Sequence, residues 1–514
     1  MATSYAIDAL DNYIREELPR TMYESLPTIA PVYKYIQRST LGVKRNDIGR
    51  DWEVEHLFAT GIAGLIQSAD VRGPTFYDRV TAANAHIQSL VMDGSGLAIF
   101  PPATSAPHTT SLKRILTLGL TTGNFCVPVT WLSGDALQAS QIRQVTRDIK
   151  AVGANRALME AISFFMSTDN ALGQIDDYAL DGSSKKFTCT IKAGTGRTAF
   201  CRVGQMVDVM YNNSGTPNWG STGGTSYANA DGTGAQWSSS YIPLIISDVD
   251  YISGTITISS VDGTQIDGST LQGSAIADDD WLVIANCGTT SGREMRTWGV
   301  EDWTKSSGQI MGGSATLTNR LNPGLDLDSQ SQFKSQVKAV NAPLTDTVMN
   351  GYIGGFMDAY PGASIDTILT TMGVTLKYLE QPELYNNRMF YDRTGKALDL
   401  KGGWDEVTYS FNGRPLRWMT TPMCISQRLY ALKMNGGNIK RYVPPRVGGK
   451  DPTIGAEVEF IAPLAGHTNI FKIAHSSSGA TQAVLEAPFW EYHLVCPIDV
   501  RGVKLTGLTE ATMS

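Results

Sequence analysis

The stretch "ALQASQIRQVTRDIKAVGANRALMEAISFFMS", residues 136–167, places Ile142, Val145, Ile149, Val152, Met159 and Met166 at intervals of three, four and seven. That spacing returns apolar side chains to one face of a helix, so it predicts an amphipathic helix here. Ser133 and Asp135 stand ahead of it as capping residues. The expected helix spans 134–167, and from 135 to 166 it would run about 48 Å at ~1.5 Å per residue, long for a globular protein. Gly153 sits inside it at a cost of ~1 kcal/mol relative to alanine, which suits a bend or a close contact.

On the N-terminal side the pattern is different. Residues 1–43 mix short amphipathic pieces with Pro19, Pro27 and Pro31, too many breaks for a long helix, and read as an arm. Residues 44–115, which include "SGLAIFPPATSAPHTT", sustain no period at all and read as an excursion that packs on something else.

On the C-terminal side the composition turns to Gly, Ser and Thr between 172 and 296. Phe187, Cys189 and Ile191 alternate with polar neighbours, as do Ile256 and Ile258; Val207, Val209 and Tyr211, then "WLVIA" at 281–285, add further strands. Turn clusters such as "NNSGTPNWGSTGGTSYANADGTG" separate them. The segment reads as a small β-barrel or sandwich inserted into a parent domain. Helices are expected in "PLTDTVMNGYIGGFMDAY" (343–360) and in "SIDTILTTMGVTLKYLEQ", with Ile365, Ile368, Leu369 and Met372 on one side. "VTYSFNGRPLRW" (407–418) is a hairpin, because Asn412-Gly413 between alternating residues matches a two-residue turn with positive φ at both positions. "ISQRLYALKM" is a mixed element, and "FWEYHLVCPIDVRGVKLTGL" gives closing strands. Without regular βα alternation the class is α+β.

At 514 residues the chain is long enough for several domains. Only 18% of residues are charged, and 51 are glycine. A charge-poor surface is what large protein contacts prefer. The net charge of −7 argues against broad gripping of DNA phosphates, although a lining that tolerates DNA is allowed. No window approaches the roughly 18 apolar residues of a membrane span, and the acidic N-terminus lacks the features of a signal peptide. Cysteines 126, 189, 201, 287, 424 and 496 form no CxxC pair and read as core thiols in a reducing compartment.

Chemistry needs constellations, and each candidate has a plainer reading. His56, His86, His108, His467, His475 and His493 form no helical metal-ligand pair. Asp278-Asp279-Asp280 lacks the spaced oxygens of a calcium loop and reads as a solvated turn before the 281–285 strand. "GTGR" at 194–197 lacks the ending and following helix of a phosphate loop. "HSSSG" at 475–479 offers hydroxyls beside His475 but nothing that orients a base. The pairs Phe164-Phe165 and Phe489-Trp490 read as core. No catalytic residue, metal ligand or cofactor site is therefore expected.

The order of parts resembles the major capsid proteins of tailed phages, with the Hong Kong 97-type fold. The texts that carry the resemblance are "CGTTSGREMRTWGVEDW" and "NRMFYDRTGKALDLKGGWDEVTYSFNGRPLRWMTTPMCISQRLYALKMNGGNIKRY". Gly413, Pro415, Tyr430 and Leu432 hold the positions of a "G-x-P-h" turn and an "h-Y-x-L" ending. The resemblance implies an N-terminal arm (1–43), an extended loop (44–115), a peripheral domain with the spine helix (116–171), the inserted β-domain (172–296), more peripheral domain (297–360), an axial domain (361–483), and strands returning to the peripheral domain (484–514). It implies hexamers and pentamers closing into an icosahedral shell around double-stranded DNA in a virion assembled in host cytoplasm. Scaffolding, portal and decoration proteins are the implied further partners, with no enzyme activity and no membrane. No lysine and asparagine match a cross-link by motif. The competing readings are an encapsulin-like nanocompartment shell and an oligomeric serine hydrolase using Ser476–Ser478 with His475.

Overall fold

A computed structural model describes residues 31–39, 43–45, 51–60, 109–117, 119–128, 139–166, 171–181, 185–210, 212–213, 216–217, 244–261, 263, 278–284, 299–307, 309–310, 325–328, 333–360, 364–381, 408–411, 414–435, 438–442, 461–462, 472–474, 484–497 and 501–511. It divides into two compact units, Gly42–Ile115 and the remainder. The first holds a three-stranded sheet in which Asp51–Thr60 lies between Val43–Arg45 and Thr109–Thr117.

The long helix is Ala139–Phe165, continuous through Gly153. Its C-terminal half buries Ala157, Glu160, Ala161, Phe164 and Phe165 at intervals of three and four, while Met159 is only half-buried. Phe164 packs edge-on against Trp303 (5.4 Å) and tilted against Tyr33 (5.7 Å). The Tyr33 hydroxyl donates to the Glu160 carbonyl at 3.1 Å, so the Pro31–Tyr35 turn is pinned to this helix.

Beyond the helix comes a closed barrel of six strands, in the order Leu244–Asp250, Thr255–Ser260, Lys186–Ile191, Ala171–Leu180, Trp281–Ile284 and Met206–Met210. Every strand pair is antiparallel. Period-two alternation contributes to the closure: Phe187, Cys189, Val207, Val209, Ile256 and Ile258 are buried, and Thr188, Thr190, Thr257 and Ser259 are partly exposed, although Asp208 between the two valines is buried as well. The Leu244–Asp250 and Thr255–Ser260 strands are joined by a turn in which the Asp250 carboxylate accepts from the Ile252 and Ser253 amides (2.9 and 3.3 Å).

A six-stranded sheet follows, ordered Gln336–Ala339, Val503–Thr506, Leu429–Leu432, Thr367–Thr370, Arg414–Thr420 and Thr408–Phe411. It draws strands from three of the expected segments, 297–360, 361–483 and 484–514. On one face Leu429, Ala431, Val503 and Leu505 join the core with Ile353, Phe356, Val374 and Tyr378. Those last four come from two helical runs. Asp346–Met349 and Gly355–Ala359 are joined by a π turn over Asn350–Gly354, and Met372–Leu379 is capped by the Thr371 hydroxyl, which accepts from Val374 N at 3.3 Å.

The helix expected across 364–381 is therefore only half a helix. Thr367–Thr370 is a strand with all four residues buried, and Met372 is exposed. The β-branched run Thr367, Ile368, Thr370 favours the pleat, and Thr371 starts a new helix.

A third sheet pairs Gly119–Pro128 antiparallel with Val484–Pro497 over ten residue pairs, from Gly119 opposite His493 to Pro128 opposite Val484. Ile439–Tyr442 continues this sheet along Leu494–Pro497, and Gln37–Ser39 adds a parallel strand at its edge. No helix among the described residues is long and apolar enough to cross a membrane.

Candidate functional site: the junction of barrel and sheet

Alternation along the six-stranded sheet puts Leu429 and Ala431 on the helical face, so Arg428 and Tyr430 belong to the opposite one. Tyr430 lies directly across from Lys504 on the neighbouring strand. Between them stands Glu301, carried by the short helix Val300–Trp303. Glu301 Oε1 is paired with the Arg428 guanidinium and with Lys504 Nζ (3.0 Å), and Oε2 accepts from the Tyr430 hydroxyl at 2.6 Å. The three charged side chains are only 16% (Arg428), 15% (Glu301) and 8% (Lys504) exposed, so water screens them little.

Burial alone would push the Glu301 carboxyl up, but Arg428, Lys504 and the Tyr430 hydroxyl outweigh it and hold it at about 2. Burial pulls Lys504 down, and Glu301 only partly compensates because Arg428 repels the ammonium. Burial and the Glu301 charge both push the Tyr430 phenol up. Glu301 is thus held ionised and Tyr430 protonated, whereas the Lys504 ammonium is held less firmly than that of a free lysine.

From this cluster the 424–428 turn reaches the barrel. The Gly194 amide donates to the Ser426 hydroxyl (2.8 Å), which donates to the Gly196 carbonyl (3.2 Å). Arg428 Nη2 donates to the Gly194 carbonyl (2.6 Å), and Arg197 Nη1 donates to the Cys424 carbonyl (3.3 Å). Gly196 is required by close approach: a Cβ there would stand 1.9 Å from the Leu172 carbonyl oxygen. "GTGR" is therefore a docking turn.

The Asp278–Asp280 run forms a turn, but it is not uniformly solvated. Asp278 is exposed, Asp279 pairs with Lys192, and Asp280 is buried with its carbonyl accepting from Ile175 N at 2.8 Å. Cys189, Cys201 and Cys424 are buried free thiols; burial pushes Cys189 up to about 12 and the other two higher. None is a thiolate at neutral pH. Phe164 and Phe165 are core residues. His467, His475, Ser476, Ser477, Ser478 and Gly413 lie outside the described residues. Among the described residues, no group of three or more His, Cys, Asp or Glu stands close enough to hold a metal ion.

Two positions flagged by resemblance, Tyr430 and Leu432, fall on the strand that carries the cluster. Glu301 lies in the quoted text "CGTTSGREMRTWGVEDW", but nothing local marks it as their partner. The signal available for Lys504 was a cation in the apolar run Val503-Lys504-Leu505.

No family model matches the sequence, and no curated protein matches it. Solved structures do align with it, and phage capsids are among them. The cyanophage A-1(L) capsid asymmetric unit aligns over 94% of this chain and 93% of that one, at 10% identity and a TM-score of 0.39. The satellite phage P4 procapsid, including its size determination protein, aligns over 95% and 99%, at 8% identity and 0.31. The holo-SrpI encapsulin complex of Synechococcus elongatus aligns over 34% and 53%, at 9% identity and 0.18. At these TM-scores the likenesses decide neither fold nor function.

Proposed function

We propose that this chain is a major capsid protein of a tailed phage, a non-catalytic subunit with the Hong Kong 97-type fold. Its copies associate through hexamers and pentamers into an icosahedral shell around double-stranded DNA. The observation that carries the reading is the order of parts. A β-unit of its own over Gly42–Ile115 precedes a single long helix, Ala139–Phe165, and a closed barrel interrupts the chain before the large sheet. A loop unit, a long helix and an inserted β-domain in that order are what the sequence resemblance implies, and this supports the reading. The junction chemistry supports a structural role, because its charged groups are consumed in pairing with one another and with backbone.

The test is to express the full chain and examine it by size-exclusion chromatography and negative-stain electron microscopy. Closed shells or capsomer rings are expected, and a uniformly monomeric or small-oligomer protein under all assembly conditions overturns the reading. Scaffolding, portal and decoration proteins are the further partners proposed. Nucleic-acid content of particles formed in an infected host separates a DNA-filled capsid from an encapsulin-like compartment.

A further inference from the structure

We propose that the C-terminal strap Gly507–Ala511 acts as a remote lock on the inserted barrel, through the backbone of Gln427. The coupling belongs to the single chain and holds whether or not the chain assembles.

Gln427 has φ +56°, a left-handed conformation that a side chain other than glycine or asparagine adopts at a cost. Such a conformation persists only where its surroundings impose it, and the strap supplies both contacts. Glu510 Oε1 accepts from Gln427 N at 2.9 Å, and Leu508 N donates to the Gln427 carbonyl at 3.0 Å. The strap is itself tied down: Thr509 N donates to the Ala342 carbonyl (3.3 Å), Ala511 N to the Gly373 carbonyl (3.0 Å), and the Thr371 hydroxyl to Glu510.

The residues on either side of Gln427 hold the barrel, alongside the Arg197–Cys424 bond. Ser426 engages Gly194 and Gly196, and Arg428 engages the Gly194 carbonyl. A change of φ at Gln427 rotates one of these neighbours against the other. Both cannot then remain in place on the barrel turn. The bonds from Ser426 and Arg428 to the barrel turn are hydrogen bonds, lost once their geometry is broken, while the barrel keeps its own closed core. The device therefore has two states. With the strap seated, Gln427 is left-handed and the barrel is docked; with the strap released, Gln427 relaxes and the barrel swings on its connections as a folded body.

Hydrogen exchange with mass spectrometry on the full chain tests this, reading the peptide that contains Gly194 against the barrel strand Thr255–Ser260. Ser426→Ala, which removes the direct contact, calibrates the signal. Glu510→Ala is expected to speed exchange at the Gly194 peptide at least about tenfold, with the Thr255–Ser260 strand unchanged. Adding Gln427→Gly to Glu510→Ala is expected to restore protection, because glycine takes positive φ without support. The proposal is overturned if Glu510→Ala changes only the Thr371–Gln381 region. It is equally overturned if the whole barrel loses protection in parallel, or if the glycine rescue fails in a folded double variant.

Discussion

Glu301→Gln keeps the shape of the side chain and removes the charge on which the junction cluster is built. The carboxyl ordinarily ionises near 4.5 and is held at about 2 in the fold. That interval corresponds to about 3 kcal/mol of folding stability at ~1.4 kcal/mol per pH unit. The side chain is 15% exposed, so little of this is lost to solvent screening. Because the folded value is depressed, the contribution is fully present above the unfolded value near 4.5 and is lost as pH falls through about 2. The variant should therefore be less stable than the natural chain by about 3 kcal/mol at pH 7, and by less than half of that at pH 3. The assay is amide exchange in the Leu429–Leu432 and Val503–Thr506 strands, which report the sheet that holds the cluster without requiring the whole chain to unfold in one step. A deficit that stays constant between pH 7 and pH 3 would show that glutamine disturbs geometry and that the charge contributes nothing. A deficit under about 1 kcal/mol at pH 7 would show that water reaches the cluster after all.

Three further outcomes follow from the same structure. Lys504→Met should leave the melting temperature unchanged or raise it, because burial outweighs the attraction of Glu301 for that ammonium; a fall of more than about 5 °C by calorimetry contradicts this. Ile149→Pro, in the interior of Ala139–Phe165, removes one helical hydrogen bond and clashes with the preceding turn, and should cost about 3 kcal/mol or more in urea titration; an unchanged midpoint would mean the helix tolerates a break there. Replacing Ala171–Ile284 with a short Gly/Ser linker should preserve exchange protection in the Leu429–Leu432 strand, and loss of that protection would make the barrel part of the parent core.

The sequence exposed those elements whose two faces differ. Asn412-Gly413 announced its hairpin, and Phe411 does pair with Arg414 across two residues. The strands around Phe187 and Ile256 were legible because one side of each faces a closed core and the other is partly exposed, and the strand around Val207 because a polar residue, Asp208, separates its two apolar ones although all three are buried. Thr367–Thr370 was not, because it is buried on both faces and so has no alternation to read. Its apolar residues run on into the helix that follows, and the two merged into one apparent helical period. The junction cluster was the least legible feature of all. Glu301 lies 129 positions from Tyr430 and 203 from Lys504, and each partner is unremarkable in its own neighbourhood. Pairing at that separation is created by strand order, which local patterns do not encode.

The way the barrel is attached explains why hydrogen bonds matter at its junction with the sheet. The barrel leaves and rejoins the chain beside the end of the long helix, where Gly299 packs so tightly on Met166 that a Cβ would stand 1.9 Å from the Met166 carbonyl oxygen. Two chain connections rising from one place fix where an inserted domain is attached, but they leave its angle free. An apolar contact would oppose separation without choosing among nearby angles, since burial of area is non-directional. Hydrogen bonds from Ser426, Arg428 and Arg197 to three backbone carbonyls, with the Gly194 amide returned to Ser426, are directional and admit few orientations. For Arg428 to make such a bond from the turn that leads into the Leu429–Leu432 strand, its charge has to be buried, and that burial is tolerable only with Glu301 beside it. The buried ion cluster is thus the consequence of aiming a guanidinium at a backbone carbonyl from the buried end of a sheet strand.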